Sequence, residues 1–196
     1  LVGEYPELQG VMGMHLAKAQ GFEEDVSLAI SEHYLPIGIS SRVPKKPISI
    51  AVSLIDKIDM LVGFFGINEK PTSSKDPFAL RRNAIGLLRI IIENKLSLHL
   101  KDLIEYSLVS YEEQNIKIVN ENTTKEILLF LRERFKNLLK DQKIRNDIIE
   151  AVDGSPNVQD FLILYKKCLI INKNISKEIC KNIIGTYKRA SNIIQH

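Results

Sequence analysis

Two aspartates and two groups of cations are the residues in this 196-residue chain whose types and spacing could do chemistry. Asp56 and Asp59 stand three apart, which puts both carboxylates on one face of a helix. Asp56 also shares a stripe with Ser49, Ser53 and Gly63. A carboxylate among small residues can ligate a metal, or it can pair with a cation such as Arg82 or Arg89. Buried and unpaired, it would cost several kcal/mol. No second ligand is visible in sequence. His15, His33, His99 and His196 are scattered, without metal-ligand spacing among themselves or with Cys168 and Cys180. No His-Asp pair, Gly-x-Ser-x-Gly turn or phosphate-binding glycine loop occurs. These patterns predict no catalytic and no metal-binding residues, and a structural polar role for Asp56, Asp59 and Arg89.

The cations carry a different message. Lys75, Arg81 and Arg82 bracket "KDPFALRR", and Arg89 follows two helical turns later. That spacing suits contact with phosphates, whose oxygens a guanidinium fork binds in pairs. The competing role for Arg82 and Arg89 is pairing with Asp56, Asp59 or Glu93. Lys188, Arg189 and Asn192 offer two cations and an amide within five residues, so the cations can hold phosphates while the amide reads a base or sugar. Lys166 and Lys167, and the group Arg132, Arg134 and Lys136, read as solvated helix faces.

Charge is unevenly distributed. Net charge is +3, but residues 1–115 carry 12 basic against 15 acidic side chains and residues 116–196 carry 15 against 9. An acidic front and a basic back suggest two units with different partners, or simply Lys-rich helices with solvated faces. No apolar run reaches the roughly 18 residues of a membrane helix, and the opening "LVGEYPELQG" is not a signal peptide. The two cysteines read as reduced core residues. Together with Leu1 at the first position, this predicts an internal stretch of a larger cytoplasmic protein.

The elements that must position these groups are helical nearly throughout. The patterns predict helices at 22–34, 47–65, 76–95, 101–113, 124–141, 143–152, 158–172 and 176–194. Pro36, Pro44 and Pro47 mark 35–47 as a loop, and the helix at 47–65 is apolar almost all round, which predicts a central, buried element. Asp76-Pro77 reads as an N-cap followed by proline at the first helical position. Thr123 and Glu126 have capping-box spacing, Asp153-Gly154-Ser155-Pro156 should end the sixth helix, and Ser176 should cap the last. In 187–195, Lys188, Ser191, Asn192 and Gln195 form one polar face, with Ile183 and Ile184 extending the apolar side toward the core.

Five blocks resemble a known family in order along the chain: "LVGEYPELQGVMG" (1–13), "EHYLP" (32–36), "DKIDMLVGFFGI" (56–67), "KPTSSKDPFALRRNAIGLLRII" (70–91) and "KRASNI" (188–193). They resemble the β subunit of the bacterial heterotetrameric glycyl-tRNA synthetase. That family's enzyme is an α₂β₂ ligase joining glycine to tRNA(Gly) with ATP and Mg²⁺; its α subunit holds the catalytic site, and β mainly binds tRNA.

The resemblance implies an all-α fold in which 1–115 is the later part of a helical HD-like domain. Residues 116–196 would then be a linker and the start of a helical anticodon-binding-type domain. It implies tRNA contact at Lys75, Arg81, Arg82, Lys188, Arg189 and Asn192, an α-subunit partner and no cofactor within this stretch. Asp56 matches the last aspartate of an HD-type motif, without the paired histidine and aspartate. The rival readings are a remnant of an HD-type metal phosphohydrolase, and a helical scaffold with no direct tRNA contact.

Overall fold

The computed structural model describes residues 3–38, 40–72, 74–154 and 160–194. A short 3₁₀ turn, Pro6–Leu8, leads into α1 (Val11–Ala19) and α2 (Glu24–Glu32). Then come α3 (Pro47–Gly66), α4 (Leu80–Glu93), α5 (Leu100–Glu113), α6 (Thr123–Asp141), α7 (Asn146–Asp153), α8 (Phe161–Asn174) and α9 (Glu178–Ile194). No strand occurs among the described residues, and the all-α expectation holds.

Helices α3 and α4 form the centre. α2 and α5 pack on α3, α6 packs on both α3 and α4, and α8 packs on α4. The α4 stripe Leu80, Ala84, Leu87, Leu88 and Ile91 is almost solvent-free, as 3.6-residue periodicity requires of a helix with a core face. One apolar cluster continues from Leu61, Val62 and Phe65 through Ile127, Leu131 and Phe135 to Phe161 and Cys168. The connector after α5 is stitched to the end of α3: Val119 N and Asn120 N both donate to Gly66 O at 3.0 Å, and Asn120 Nδ2 donates to Phe65 O at 3.1 Å. These bonds satisfy carbonyls that a helix end leaves without intrahelical partners.

Several local expectations are corrected. α3 is not buried all round, because Ile48, Val52 and Ile55 share an exposed face, with Ile55 65% accessible. Asp76-Pro77 does not open α4, which begins at Leu80 after Ala79 in the left-handed region, φ 53°. Thr123 and Glu126 form no capping box. Thr123 Oγ1 donates to Asn120 O at 2.6 Å, while Glu126 is taken by Asn120 Nδ2 at 2.7 Å and Lys70 Nζ at 2.5 Å. α9 starts at Glu178, too late for Ser176 to be its cap, and buries none of its residues, so Ile183 and Ile184 face solvent. α1 is an addition that the sequence patterns did not mark. Gly154 does follow α7, whereas Ser155, Pro156 and Gln195 lie outside the described residues.

Candidate functional site

Asp76 builds the entrance to α4 from outside the helix. Its Oδ1 accepts from Leu80 N at 2.8 Å and its Oδ2 from Arg81 N at 3.0 Å, so it satisfies two first-turn donors from four and five residues away. The left-handed turn at Ala79 swings the chain so that this reach is possible. The Arg81 guanidinium closes the same loop by donating to Thr72 O. Lys75 N bonds Thr72 Oγ1 at 3.2 Å, leaving the Lys75 side chain exposed on the loop.

This start of α4 and the segment after α2 enclose a cavity of about 380 Å³. Arg81, Arg82 and Arg89 line it together with Asp76, and Pro36, Ile85 and Gly86 supply apolar wall. The three arginines play different parts. Arg89 is held rigidly: it donates to Gly38 O at 3.0 Å, Ser41 O at 2.8 Å and Glu93 Oε1 at 2.8 Å, and so ties the loop after α2 to α4. Arg82 is exposed and makes no hydrogen bond or ion pair with any described residue. The described partners of Arg89 are thus Glu93 and loop carbonyls, not Asp56 or Asp59.

Asp56 and Asp59 are not a buried pair. Asp56 is half-buried and Asp59 exposed, and neither bridges to Arg82 or Arg89. The buried charge on α3 is Lys57, only 2% accessible. Ser49, Ser53 and Lys57 follow i, i+4 spacing, so Lys57 continues the buried small-residue stripe and Asp56 falls beside it. Lys57 Nζ donates to His33 O and Ser53 Oγ, both at 3.0 Å, and Ser53 Oγ donates to Leu35 O at 2.7 Å. Burial pushes the Lys57 amine down to about 8, partly offset by the Asp56 charge beside it. Gly86, which packs against the Lys57 stem, and Pro36 both line the cavity wall, and Lys57 does not.

The basic groups of the back half also divide. Arg132 and Lys136 are not simply solvated, because they meet Asp153 at 3.3 and 2.8 Å and lock α6 to α7. Arg134 lies over the Phe130 ring, 4.9 Å from its centroid. Lys188, Arg189 and Asn192 lie exposed on α9, with Arg189 bonded only locally, to Gly185 O at 3.3 Å and Thr186 Oγ1 at 3.5 Å. They do not line the arginine cavity. Cys168 is buried as expected, whereas Cys180 is half-buried on α9, outside the core.

Residues that the sequence did not single out adjoin the arginines. A second cavity of about 320 Å³ shares Ile85 and Arg89 with the first and is lined further by Asn137, Gln142 and Tyr165. Tyr165 OH donates to Gln142 Oε1 at 3.0 Å. Nothing in spacing could have linked α4 to α6 and α8 in this way. Among the described residues no three His, Cys, Asp or Glu side chains gather where they could hold a metal ion. No described helix is long and apolar enough to cross a membrane.

Fold and site define an all-α protein in which three arginines line one recess together with a single carboxylate, Asp76. The chain is similar to proteins of one class, the aminoacyl-tRNA synthetases. A family model described as the glycyl-tRNA synthetase beta subunit matches residues 1–154. The chain is 42% identical over 195 residues to the glycine–tRNA ligase beta subunit of Rhodospirillum centenum, covering 100% of this chain and 27% of that protein. Against the corresponding subunits of Ruegeria sp. and Paracoccus denitrificans it is 39% identical over 194 residues, covering 99% of this chain and 27% of each. The chain belongs to the glycyl-tRNA synthetase β-subunit family, and it spans about a quarter of the length of these relatives.

Proposed function

We propose that this stretch serves a glycine–tRNA ligase as a tRNA-binding and subunit-assembly element, without reacting groups of its own. The observation that carries the reading is the family match over residues 1–154, joined to a cationic recess at the start of α4. Arg81 and Arg82, with Lys75 on the adjoining loop, meet phosphates of tRNA(Gly), and Lys188, Arg189 and Asn192 form a second contact on α9. Each neutralised phosphate releases counterions, so affinity from such contacts falls steeply with salt.

ATP and Mg²⁺ act in the α subunit, where glycine is activated, and the whole enzyme is an α₂β₂ assembly in the cytoplasm. In this division of labour, residues 1–115 form the later part of a helical HD-like domain. Residues 116–196 then open an anticodon-binding-type one. The apolar faces left open on α3 and α9 suit assembly with neighbouring protein.

Lysine acetylation footprinting of the full-length β chain with its α partner tests the reading. Lys75 and Lys188 should be protected by tRNA(Gly) at low salt and released as salt is raised. Unprotected lysines at both positions, in an enzyme that still binds tRNA, would favour the scaffold reading.

A further inference from the structure

We propose that the two cavities meeting at Ile85 and Arg89 form one groove that holds a single nucleotide, with its phosphate on Arg82 and its nucleoside beside Tyr165. The first cavity offers three guanidinium groups against one carboxylate, Asp76, whose two oxygens are already committed to Leu80 N and Arg81 N. Arg89 spends its donors on Gly38, Ser41 and Glu93, and Arg81 spends one on Thr72, so these two fix the shape and sign of the recess. Arg82 is left with its whole fork for an incoming anion, and a planar fork matches two phosphate oxygens.

The second cavity has the opposite character. Glu93 and Asp141 line it and would repel a phosphate, but they accept hydrogen bonds from ribose hydroxyls or base amino groups. Asn137 and Gln142 add amides, and Ile92, Leu138 and the Tyr165 ring supply apolar and aromatic surface for a base. Each cavity lies within the span of about 300–1,000 Å³ common for small-ligand pockets. A cationic compartment that shares Ile85 and Arg89 with an aromatic, acceptor-bearing one complements a nucleoside phosphate better than a bare anion or an apolar ligand. The shared chemistry admits two sources, a free mononucleotide or an unpaired nucleotide of RNA. For the second source the inference rests on the tRNA reading above.

The test uses the full-length protein and three probes: adenosine 5′-monophosphate, inorganic phosphate and tRNA. Calorimetric titration should show saturable binding of the mononucleotide, at least tenfold tighter than inorganic phosphate, which leaves the second cavity empty. Arg82→Gln should weaken the mononucleotide at least fivefold. Asn137→Leu, at an exposed position where folding is insensitive, should do the same by replacing an amide of the second cavity with an apolar group, and Lys166→Gln should change nothing. If the natural source is RNA, the mononucleotide competes with tRNA and both variants weaken tRNA as well. If the source is a free mononucleotide, Asn137→Leu loses mononucleotide binding with tRNA affinity untouched, and the mononucleotide does not compete with tRNA. No saturable mononucleotide binding, together with unchanged tRNA affinity in both variants, overturns the groove and removes Arg82 from the proposed tRNA contacts, leaving those at Lys75, Arg81 and α9. Failure of the unaltered protein to bind tRNA overturns the tRNA reading by itself.

Discussion

Gly86 on α4 and Lys57 on α3 approach so closely that a β-carbon added at residue 86 would lie 3.0 Å from Lys57 Cε. The same carbon would meet the Pro36 ring at 3.4 Å. With no side chain at residue 86 the Lys57 stem passes between the helices to the His33 carbonyl beyond α2 without crowding. In an open helix, Gly→Ala would gain up to about 1 kcal/mol from backbone entropy. Here Lys57 is pinned at its amine by two hydrogen bonds and the proline ring is rigid, so neither neighbour can yield freely. Gly86→Ala should therefore lose a net ~1–2 kcal/mol, the scale of overpacking a core. Urea denaturation checks it, and a raised midpoint would mean that the Lys57 stem repacks.

Lys57 itself should make stability depend on pH. Its amine is held near 8 in the fold and returns to the ordinary 10.5 when the chain unfolds. Between these values the unfolded chain binds more protons than the native one, so this group's contribution raises stability as pH climbs through the window. Below about 8 both states are protonated and the full cost of burying the ammonium is felt, on the order of 3 kcal/mol. Lys57→Met should flatten the profile between pH 8 and 10.5 relative to the parent. Comparing the two proteins' chemical-denaturation midpoints across that range isolates the effect. Parallel curves would show that the amine stays solvated.

How much of this was legible follows from which forces are local. Pro47 and the apolar run after it predicted the span of α3 to within a residue, because a proline start and helical periodicity are local signals. Asp76 was legible as a cap but not in its register, since the left-handed turn at Ala79 has no glycine or asparagine to announce it. Lys57 was missed because a lone lysine in an apolar helix reads as solvent-facing. Its partners are main-chain carbonyls of His33 and, through Ser53, Leu35, and main-chain carbonyls leave no mark in a sequence. The groove beside Arg89 was equally hidden, being assembled from α4, α6 and α8 only once they pack.

Asp76 carries the third prediction. Its carboxylate satisfies two backbone donors at the α4 start, so Asp76→Ala should destabilise the protein by about 1–2 kcal/mol. Asp76→Asn keeps an acceptor and should recover part of that loss. Thermal unfolding of the three proteins measures it, and equal melting temperatures would show that water replaces the cap without cost.

The last prediction separates the α9 cations from those at the recess. Lys188 is exposed and makes no hydrogen bond or ion pair with a described residue, while Arg189 bonds only to Gly185 and Thr186 on its own helix. Because α9 buries none of its residues, removing both charges strands no buried partner and opens no cavity. Replacing Lys188 and Arg189 together by Gln should leave the melting temperature of the full-length protein within about 1 °C, as for surface substitutions whose stability effect is within roughly 0.5 kcal/mol. If α9 meets tRNA phosphates, the same change should weaken tRNA binding and reduce the slope of log affinity against log salt by up to ~2, one unit for each phosphate no longer neutralised. Filter binding over a range of salt reads both quantities. A parallel line displaced to weaker affinity would mean that the cations act through α9's conformation, and an unchanged line would remove α9 from the tRNA interface and leave the arginine recess as the remaining site for tRNA.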